Sequence, residues 1–133
     1  MLFGKEHVRR YVETNGEEGH IWNGATALIL TTTGRRSGEE CSTPLIYGRH
    51  GDDYLVVASR GGADHHPAWY LNLEASPDVQ VQVKGDRFAA RARTATPEEK
   101  PELWRTMLAH WPDYDRYQRR TRREIPLVVL ERT

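Results

Sequence analysis

The stretch ASRGGADHHPAWYLNL, residues 58–73, places a hydroxyl, a guanidinium, two glycines and two histidines close together. In Ser59-Arg60-Gly61-Gly62, the glycines let backbone N–H groups approach an anion while the arginine adds positive charge. A plain turn explains the glycine pair about as well. His65 and His66 are adjacent and point in different directions, and no Cys-x-x-Cys pair or further histidine cluster completes a coordination shell. Of the two ligand classes, the stretch favours a phosphate over a metal.

A second turn with cations follows an apolar run in TTTGRRSG, residues 31–38. Arg35 and Arg36 can bind carboxylates or phosphates through paired N–H groups, although a solvated loop explains them when they are taken alone. Neither turn matches a Walker A or dinucleotide-binding fingerprint, because the order of the glycines and the lysine differs. Two arginine-bearing turns that each follow a strand favour an anionic ligand.

The segment HWPDYDRYQRRTRREIP, residues 110–126, carries a third group of candidate residues. Trp111, Tyr114 and Tyr117 recur at every third position, which produces one aromatic face if the segment is helical. Such a face either accepts a planar ring or covers a core, and both interpretations stay open from the residues alone. The chain has no Gly-x-Ser-x-Gly motif and no paired catalytic carboxylates, and Cys41 has no recognisable base beside it.

Composition limits the classes of partner. The 133 residues carry 19 Lys and Arg against 19 Asp and Glu, so the chain lacks the basic excess that nucleic-acid binding usually requires. The single cysteine fits a reducing compartment, and no run approaches the roughly 20 apolar residues of a membrane span. We therefore expect a cytoplasmic protein without a nucleic-acid partner.

Strands joined by hairpins dominate the predicted elements. Glu6–Thr14 reads as a short helix, Pro67 begins a second, and the capping box Thr96-Pro97-Glu98-Glu99 opens a third. The hairpins favour an antiparallel barrel over a βαβ sheet, in a mainly β fold of the α+β class. We expect one domain over residues 1–133, with strands at Ala25–Thr33, Cys41–His50, Tyr54–Ser59, Val79–Val83, Arg87–Thr94 and Ile125–Leu130.

Four linked motifs run through the chain: T-T-G-R at 32–35, A-S-[KR]-G-G at 58–62, P-x-W-Y-L-N-L at 67–73 and Y-x-x-Y-Q-x-x-T-x-R-x-I-P at 114–126. Their combination is specific, and from about His20 to Glu131 the chain resembles the deazaflavin-dependent nitroreductases and quinone reductases of actinobacteria. The resemblance implies a six-stranded antiparallel split β-barrel of the FMN-binding type with short flanking helices. It also implies coenzyme F420, an 8-hydroxy-5-deazaflavin with a phosphate and an oligoglutamate tail, as the cofactor.

The resemblance assigns site residues position by position. The phosphate and tail groove would be lined by residues in and beside the two arginine turns, namely Arg35, Arg36, Ser37, Cys41, Ala58, Ser59, Arg60 and Gly61. The ring would lie beside Thr43, Pro44 and Leu45, with Ala68, Trp69, Tyr70 and Tyr114 closing the pocket. The catalytic hydroxyls would be those of Ser59, Tyr114 and Tyr117, and the acceptor would contact Trp111, Tyr114 and Tyr117.

The activity that the resemblance implies is hydride transfer from reduced coenzyme F420 to a quinone, a nitroaromatic or an enone-like acceptor. Two alternatives stay open: a split-barrel oxidoreductase that uses FMN, and a noncatalytic carrier of a deazaflavin or a lipid-like ligand. A homodimer, and peripheral contact with the inner face of the membrane through a quinone substrate, are also expected. Glu40 and Cys41 replace the Pro-Arg that is frequent in the family, which predicts weaker cofactor binding, and Trp111 stands where some members have tyrosine.

Overall fold

The computed structural model describes residues 2–133, which form four α-helices and eight strands. The helices are α1 (Gly4–Glu13), α2 (Ala68–Ala75), α3 (Lys100–His110) and α4 (Asp113–Arg120). The strands are β1 (Ile21–Trp22), β2 (Ala25–Thr33), β3 (Glu40–Ile46), β4 (Gly48–His50), β5 (Asp53–Val57), β6 (Asp78–Val83), β7 (Asp86–Thr94) and β8 (Leu127–Arg132). Within these residues, no helix has the length and apolar character needed to cross a bilayer.

The predicted strands are all present, and the mainly β class is confirmed, but the strand count rises from six to eight. The strand predicted over residues 41–50 is interrupted at Tyr47, whose N–H donates to the carbonyl of Thr26 (3.0 Å), and β4 begins at the next residue. A short β1 also precedes β2. It exists because Asn23-Gly24 forms a two-residue hairpin turn with positive φ at both positions, 53° and 81°.

The strands form one antiparallel sheet in the order β1-β2-β6-β7-β8-β5-β4, with β3 beside β2. β3 and β4 lie at opposite ends of this arrangement but only Tyr47 separates them along the chain, so the sheet curls back on itself. This curled sheet is the split barrel that the resemblance implies. Pro44 pairs with Ile29 of β2, and β3 has no second neighbour among the described strands, so the missing proline N–H interrupts no further ladder.

Alternate residues of β5 face two different cores. Val56 packs inside the barrel, whereas Leu55 packs on its outer face in a cluster with Leu103 and Met107 of α3. Leu103 and Met107 lie four residues apart on one face of α3, and that face covers the outer side of the sheet. The outer core also includes Tyr114 of α4. This packing holds Tyr114, one aromatic residue of the predicted site, against the sheet.

The capping box predicted before α3 is present. The backbone N–H of Glu99 donates to Thr96 Oγ1 (3.3 Å), and the N–H of Thr96 donates to Glu99 Oε2 (2.7 Å). The guanidinium of Arg93 on β7 donates to the same carboxylate. Together, these hydrogen bonds, led by those from Arg93, lower the pKa of Glu99 to about 2. One carboxylate thus joins the start of a helix to the sheet.

Replacing Glu99 by glutamine will lower the free energy of unfolding by about 0.5 to 1 kcal/mol near neutral pH, because the amide can keep the hydrogen bonds of the capping box but loses the ion pair with Arg93. Because the folded-state pKa lies below the unfolded value near 4.5, the carboxylate stabilises the fold above that pH. Its contribution is lost as the pH falls from about 4.5 towards 2, so wild type and Glu99→Gln should converge in acid. Urea unfolding across this range measures the difference, with the exposed neighbour Glu98→Gln as control. A constant difference at every pH would contradict the assignment.

Candidate active site

A cavity of about 390 Å³ opens where β3, the end of β5, the start of α2 and α4 meet, and we call it the candidate cavity. Ten of the predicted site residues line it: Thr43, Pro44, Leu45, Ser59, Arg60, Gly61, Trp69, Trp111, Tyr114 and Tyr117. Its volume lies in the ordinary range for small-molecule sites. The structure therefore brings most of the predicted ring, phosphate and acceptor contacts into one space.

The two tyrosines on the α4 side of the candidate cavity differ in their partners. The Tyr117 hydroxyl accepts a hydrogen bond from Trp111 Nε1 (3.3 Å). Tyr114 is only 5% exposed, and its hydroxyl makes no hydrogen bond to any of residues 2–133. Burial raises the pKa of Tyr114 well above its usual value, so the phenol is neutral at physiological pH. It is a free hydrogen-bond donor in the wall of the cavity.

The turn Ser59–Gly62 has the backbone of an anion-binding site. Ser59 lies in the right-handed helical region (φ −80°, ψ −39°), and Arg60, Gly61 and Gly62 all have positive φ, at 46°, 64° and 85°. The N–H of Gly62 donates to the Ser59 carbonyl (2.9 Å), but those of Arg60 and Gly61 have no acceptor among the described residues. Adjacent free N–H groups beside a guanidinium form a concave site for an anion. No group of three potential metal ligands gathers anywhere in residues 2–133.

The second arginine turn lies outside the candidate cavity and is tied to it through α2. The N–H of Arg35 donates to Asn72 Oδ1 (3.1 Å), and Asn72 Nδ2 donates to Thr32 Oγ1 (3.2 Å). Asn72 is buried on the same helix that supplies Trp69 to the cavity wall. Among residues 2–133, the exposed guanidinium groups of Arg35 and Arg36 form no ion pair. They are available to an anionic group that extends out of the cavity.

Seven predicted site residues do not line the candidate cavity: Arg35, Arg36, Ser37, Cys41, Ala58, Ala68 and Tyr70. Cys41 is exposed and its thiol lies 3.7 Å from the Glu39 carbonyl, while Ala58 is fully buried in the barrel core. Ala68 is exposed. Tyr70 is buried, and its hydroxyl lies 2.7 Å from Thr94 Oγ1, beside a different cavity. The structure therefore separates these side chains from the ring contacts.

Sequence reasoning overlooked five further lining residues, Trp22, Asn23, Ile46, Val57 and Pro67. The first two form the tip of the β1–β2 hairpin. The Trp22 ring packs edge-on against His7 of α1, with 4.8 Å between ring centroids. An Asn-Gly pair directly before a β-branched apolar run is a strong hairpin signal, and it could have indicated this wall. The buried Asn72 was signalled too, as the one amide within the apolar helix sequence AWYLNLEA.

Comparison with known proteins places this geometry in a family. Residues 3–132 match the family model described as F420H(2)-dependent quinone reductase. Over 130 residues the chain is 42% identical to a Mycobacterium tuberculosis H37Rv protein named as an F420H(2)-dependent quinone reductase, which covers 95% of this chain and 87% of that protein. A solved structure described as an F420-H2 dependent reductase (FDR-A) is 36% identical with a TM-score of 0.73, covering 79% of this chain and 93% of that one.

A second solved structure, described as a domain-swapped dimer, is 34% identical with a TM-score of 0.76 and covers 96% of both chains. The sequence and the structural similarities thus extend over nearly the whole length of the chain. They agree with the four motifs and with the curled antiparallel sheet. The protein belongs to the F420H(2)-dependent quinone reductase family.

Proposed function

We propose that this protein transfers a hydride from reduced coenzyme F420 to a quinone. The observation that carries the proposal is the candidate cavity, which joins an anion-binding turn at Arg60-Gly61 to apolar walls and to the free hydroxyl of Tyr114. A planar cofactor with a phosphate needs the first two features, and an acceptor whose oxygen gains negative charge needs the third. The mycobacterial relative named as a quinone reductase supports the same activity.

The residues present fit coenzyme F420. The free N–H groups of Arg60 and Gly61 and the Arg60 guanidinium would hold the phosphate. Thr43, Pro44 and Leu45 on one side and Trp69 on the other would hold the ring, and Arg35 and Arg36 would meet the anionic tail. When bound, the reduced deazaflavin supplies a hydride from carbon and handles single electrons poorly.

The chain itself would orient the acceptor, exclude water and hold a proton. Tyr114 is the principal donor, because burial keeps its hydroxyl protonated and that hydroxyl forms no hydrogen bond with any described residue. It can donate to an acceptor oxygen as negative charge develops there. Tyr117, which accepts from Trp111, and Ser59 are the further hydroxyl candidates. The apolar faces of Trp111, Leu45 and Ile46 would exclude water from the reacting atoms.

A quinone is the acceptor class that these walls favour, because it is planar, apolar and carries two oxygens for hydrogen bonding. Nitroaromatic and enone-like acceptors share the planar electrophilic character and belong in the same screen. FMN also has one phosphate and a planar ring, but it lacks the anionic tail that would engage Arg35 and Arg36. A noncatalytic carrier would need no unpaired tyrosine donor.

Titration of the purified protein with oxidised coenzyme F420, and separately with FMN, at about 50 and about 500 mM salt tests the cofactor assignment. We expect tighter and more salt-sensitive binding of the deazaflavin. Stopped-flow or steady-state oxidation of the reduced cofactor by a soluble quinone then tests the activity. Preference for FMN would overturn the cofactor assignment, and binding without oxidation by any acceptor would identify a carrier.

Replacing Arg60 by glutamine is expected to weaken the binding of oxidised coenzyme F420 by about 10-fold, the loss that corresponds to one charge-assisted hydrogen bond. Arginine and glutamine have the same backbone strain at a φ of 46°, so the substitution should not change the stability of the fold. The salt dependence of binding should also become shallower. Arg105→Gln, an exposed position on α3 outside the candidate cavity, is the matched control. Equal affinities for the two variants would remove Arg60 from the phosphate site.

A homodimer belongs to the same proposal. The relative described as a domain-swapped dimer matches this chain over 96% of its length, and Phe3 and Ile21 are large apolar side chains that are 63% and 67% exposed. Sedimentation equilibrium over a range of protein concentrations measures the oligomeric state directly. Cytoplasmic location, and peripheral membrane contact through a quinone substrate, stay predictions.

A further inference from the structure

The Arg123 side chain reaches from the segment before β8 to the turn that carries Arg60. Its Nε donates to the carbonyl of Ala63 (2.7 Å), its Nη2 to the carbonyl of Ser59 (2.8 Å) and its Nη1 to the carbonyl of Ala58 (3.2 Å). Nη1 also lies 3.0 Å from His66 Nδ1. A single planar fork therefore binds the backbone on both sides of the left-handed residues 60–62. Arg123 does not itself line the candidate cavity.

The direction of one peptide group links this contact to the anion site. In a trans peptide the C=O and the following N–H point in opposite directions, and no cis peptide occurs in the described chain. Because the Ser59 carbonyl faces Arg123, the N–H of Arg60 in the same peptide plane faces away from it. That N–H is one of the two without a protein acceptor. The hydrogen bond from Arg123 thus stabilises the peptide orientation in which this donor faces away from the Arg123 guanidinium.

The turn needs such support because its conformation is unfavourable. A positive φ at Arg60 (46°) is uncommon for a residue with a Cβ atom and persists only where the surroundings impose it. Asp64, which follows the turn, accepts a hydrogen bond from the Thr121 hydroxyl (3.0 Å). Burial and the nearby Arg60 lower the pKa of Arg123, while Asp64 raises it.

Arg123 is itself held in place by Gln118 of α4. Gln118 Nε2 donates to the Arg123 carbonyl (2.8 Å), and Gln118 Oε1 accepts from the N–H of Ile125 (2.9 Å). The N–H of Arg123 donates to Thr121 Oγ1 (3.3 Å). Gln118, Thr121 and Arg123 are the Q, T and R of the motif Y-x-x-Y-Q-x-x-T-x-R-x-I-P. The proposed chemistry uses the two tyrosines of this motif but not these three residues. Their contacts fix the fork relative to the turn.

We infer that Arg123 is a positioning residue, which holds the Ser59–Gly62 turn in the conformation that presents the Arg60 and Gly61 N–H groups to a phosphate. The inference rests on the proposed function for the identity of that phosphate. A lysine cannot replace the fork, since one ammonium group cannot reach three carbonyls that lie on either side of the turn. Charge alone is therefore insufficient at this position.

Arg123→Lys is the informative variant because it keeps the charge and removes the fork. We expect it to bind oxidised coenzyme F420 at least about 10-fold more weakly than wild type, with kcat at saturating cofactor and KM for the quinone within about 2-fold. The matched control is Arg122→Lys, the exposed neighbour, which should bind like wild type. Wild-type affinity in Arg123→Lys would overturn the inference, as would a loss of stability in urea without a loss of affinity.

Amide hydrogen exchange in the free protein supplies a readout that needs no cofactor. In Arg123→Lys, the N–H groups of Gly62 and Ala63 should exchange faster, because their hydrogen bonds across the turn open more often, while β5 and β8 keep wild-type protection. Unchanged exchange in the turn would contradict the inference. If the wild type fails to bind coenzyme F420, the proposed function is wrong, and the exchange data still decide whether Arg123 controls the turn.

Discussion

Alanine at position 62 will eliminate measurable binding of coenzyme F420 and lower the free energy of unfolding by about 3 kcal/mol, of which about 1 to 2 kcal/mol is the cost of a left-handed alanine. Gly62 has φ of 85°, and a Cβ atom there would lie 2.7 Å from the Tyr117 carbonyl oxygen and 3.0 Å from Tyr117 Cα. Both contacts are to backbone, which cannot move aside cheaply. To relieve them, the turn must separate from α4 and carry Arg60 out of the candidate cavity.

Gly51 supplies the matched control for this variant. It also has a left-handed φ, 60°, but a Cβ atom there would meet nothing within 4 Å, and it lies in the β4–β5 turn outside the cavity. Gly51→Ala should therefore cost only the backbone strain, about 1 to 2 kcal/mol, and leave cofactor binding unchanged. Urea unfolding and fluorescence titration of both variants measure the comparison. Equal stability losses at the two positions would show that the close approach to α4 contributes nothing.

Tyr114→Phe is expected to lower kcat for quinone reduction by about 100-fold, the usual effect of removing one donor from a site of developing negative charge. The affinity for coenzyme F420 and the free energy of unfolding should change little, because the hydroxyl bonds to none of the described residues. Since burial raises the pKa of Tyr114, the hydroxyl stays protonated and kcat should not titrate with this group below about pH 10.

Tyr54→Phe is the control for the loss of a phenolic hydroxyl. The Tyr54 hydroxyl accepts from Arg49 Nη1 (3.1 Å) and lies outside the candidate cavity, so kcat should match the wild type. Steady-state kinetics with reduced coenzyme F420 and a soluble quinone, with both substrates varied, separate kcat from KM. If Tyr114→Phe turns over at the wild-type rate, the proton donor must be sought at Ser59 or Tyr117.

Local pattern in the sequence predicts the strands well because each long strand carries its own signal. The alternation of Val79 to Val83 and the apolar run of Ala25 to Thr33 are examples. The local pattern does not predict β1, whose two residues are too few to show a period. It also misses the break at Tyr47, where bending of the sheet interrupts one continuous apolar segment. These differences arise from tertiary closure, which no short window of sequence contains.

Sequence similarity names the motif residues of the candidate site, but the rotation of the helix determines which of their side chains face the candidate cavity. Trp69 and Tyr70 are adjacent in one motif, but successive residues on an α-helix point about 100° apart, so Trp69 lines the candidate cavity and Tyr70 packs into the barrel core. The contacts of Arg123 could not be predicted at all. They join residues 57 to 65 positions apart, between two loops whose relative placement depends on the completed sheet.

The place of β8 in the sheet has a consequence for the folding of the protein. β8 (Leu127–Arg132) lies between β7 and β5, in the middle of the sheet. Its pairs with β5 join residues 70 to 76 positions apart along the chain, from Val57 with Leu127 to Tyr54 with Leu130. Pairing over such a distance forms slowly, so the facing edges of β5 and β7 stay unpaired until β8 docks. We expect this docking to limit the folding rate, and the partly folded chain to be prone to aggregation until it is complete.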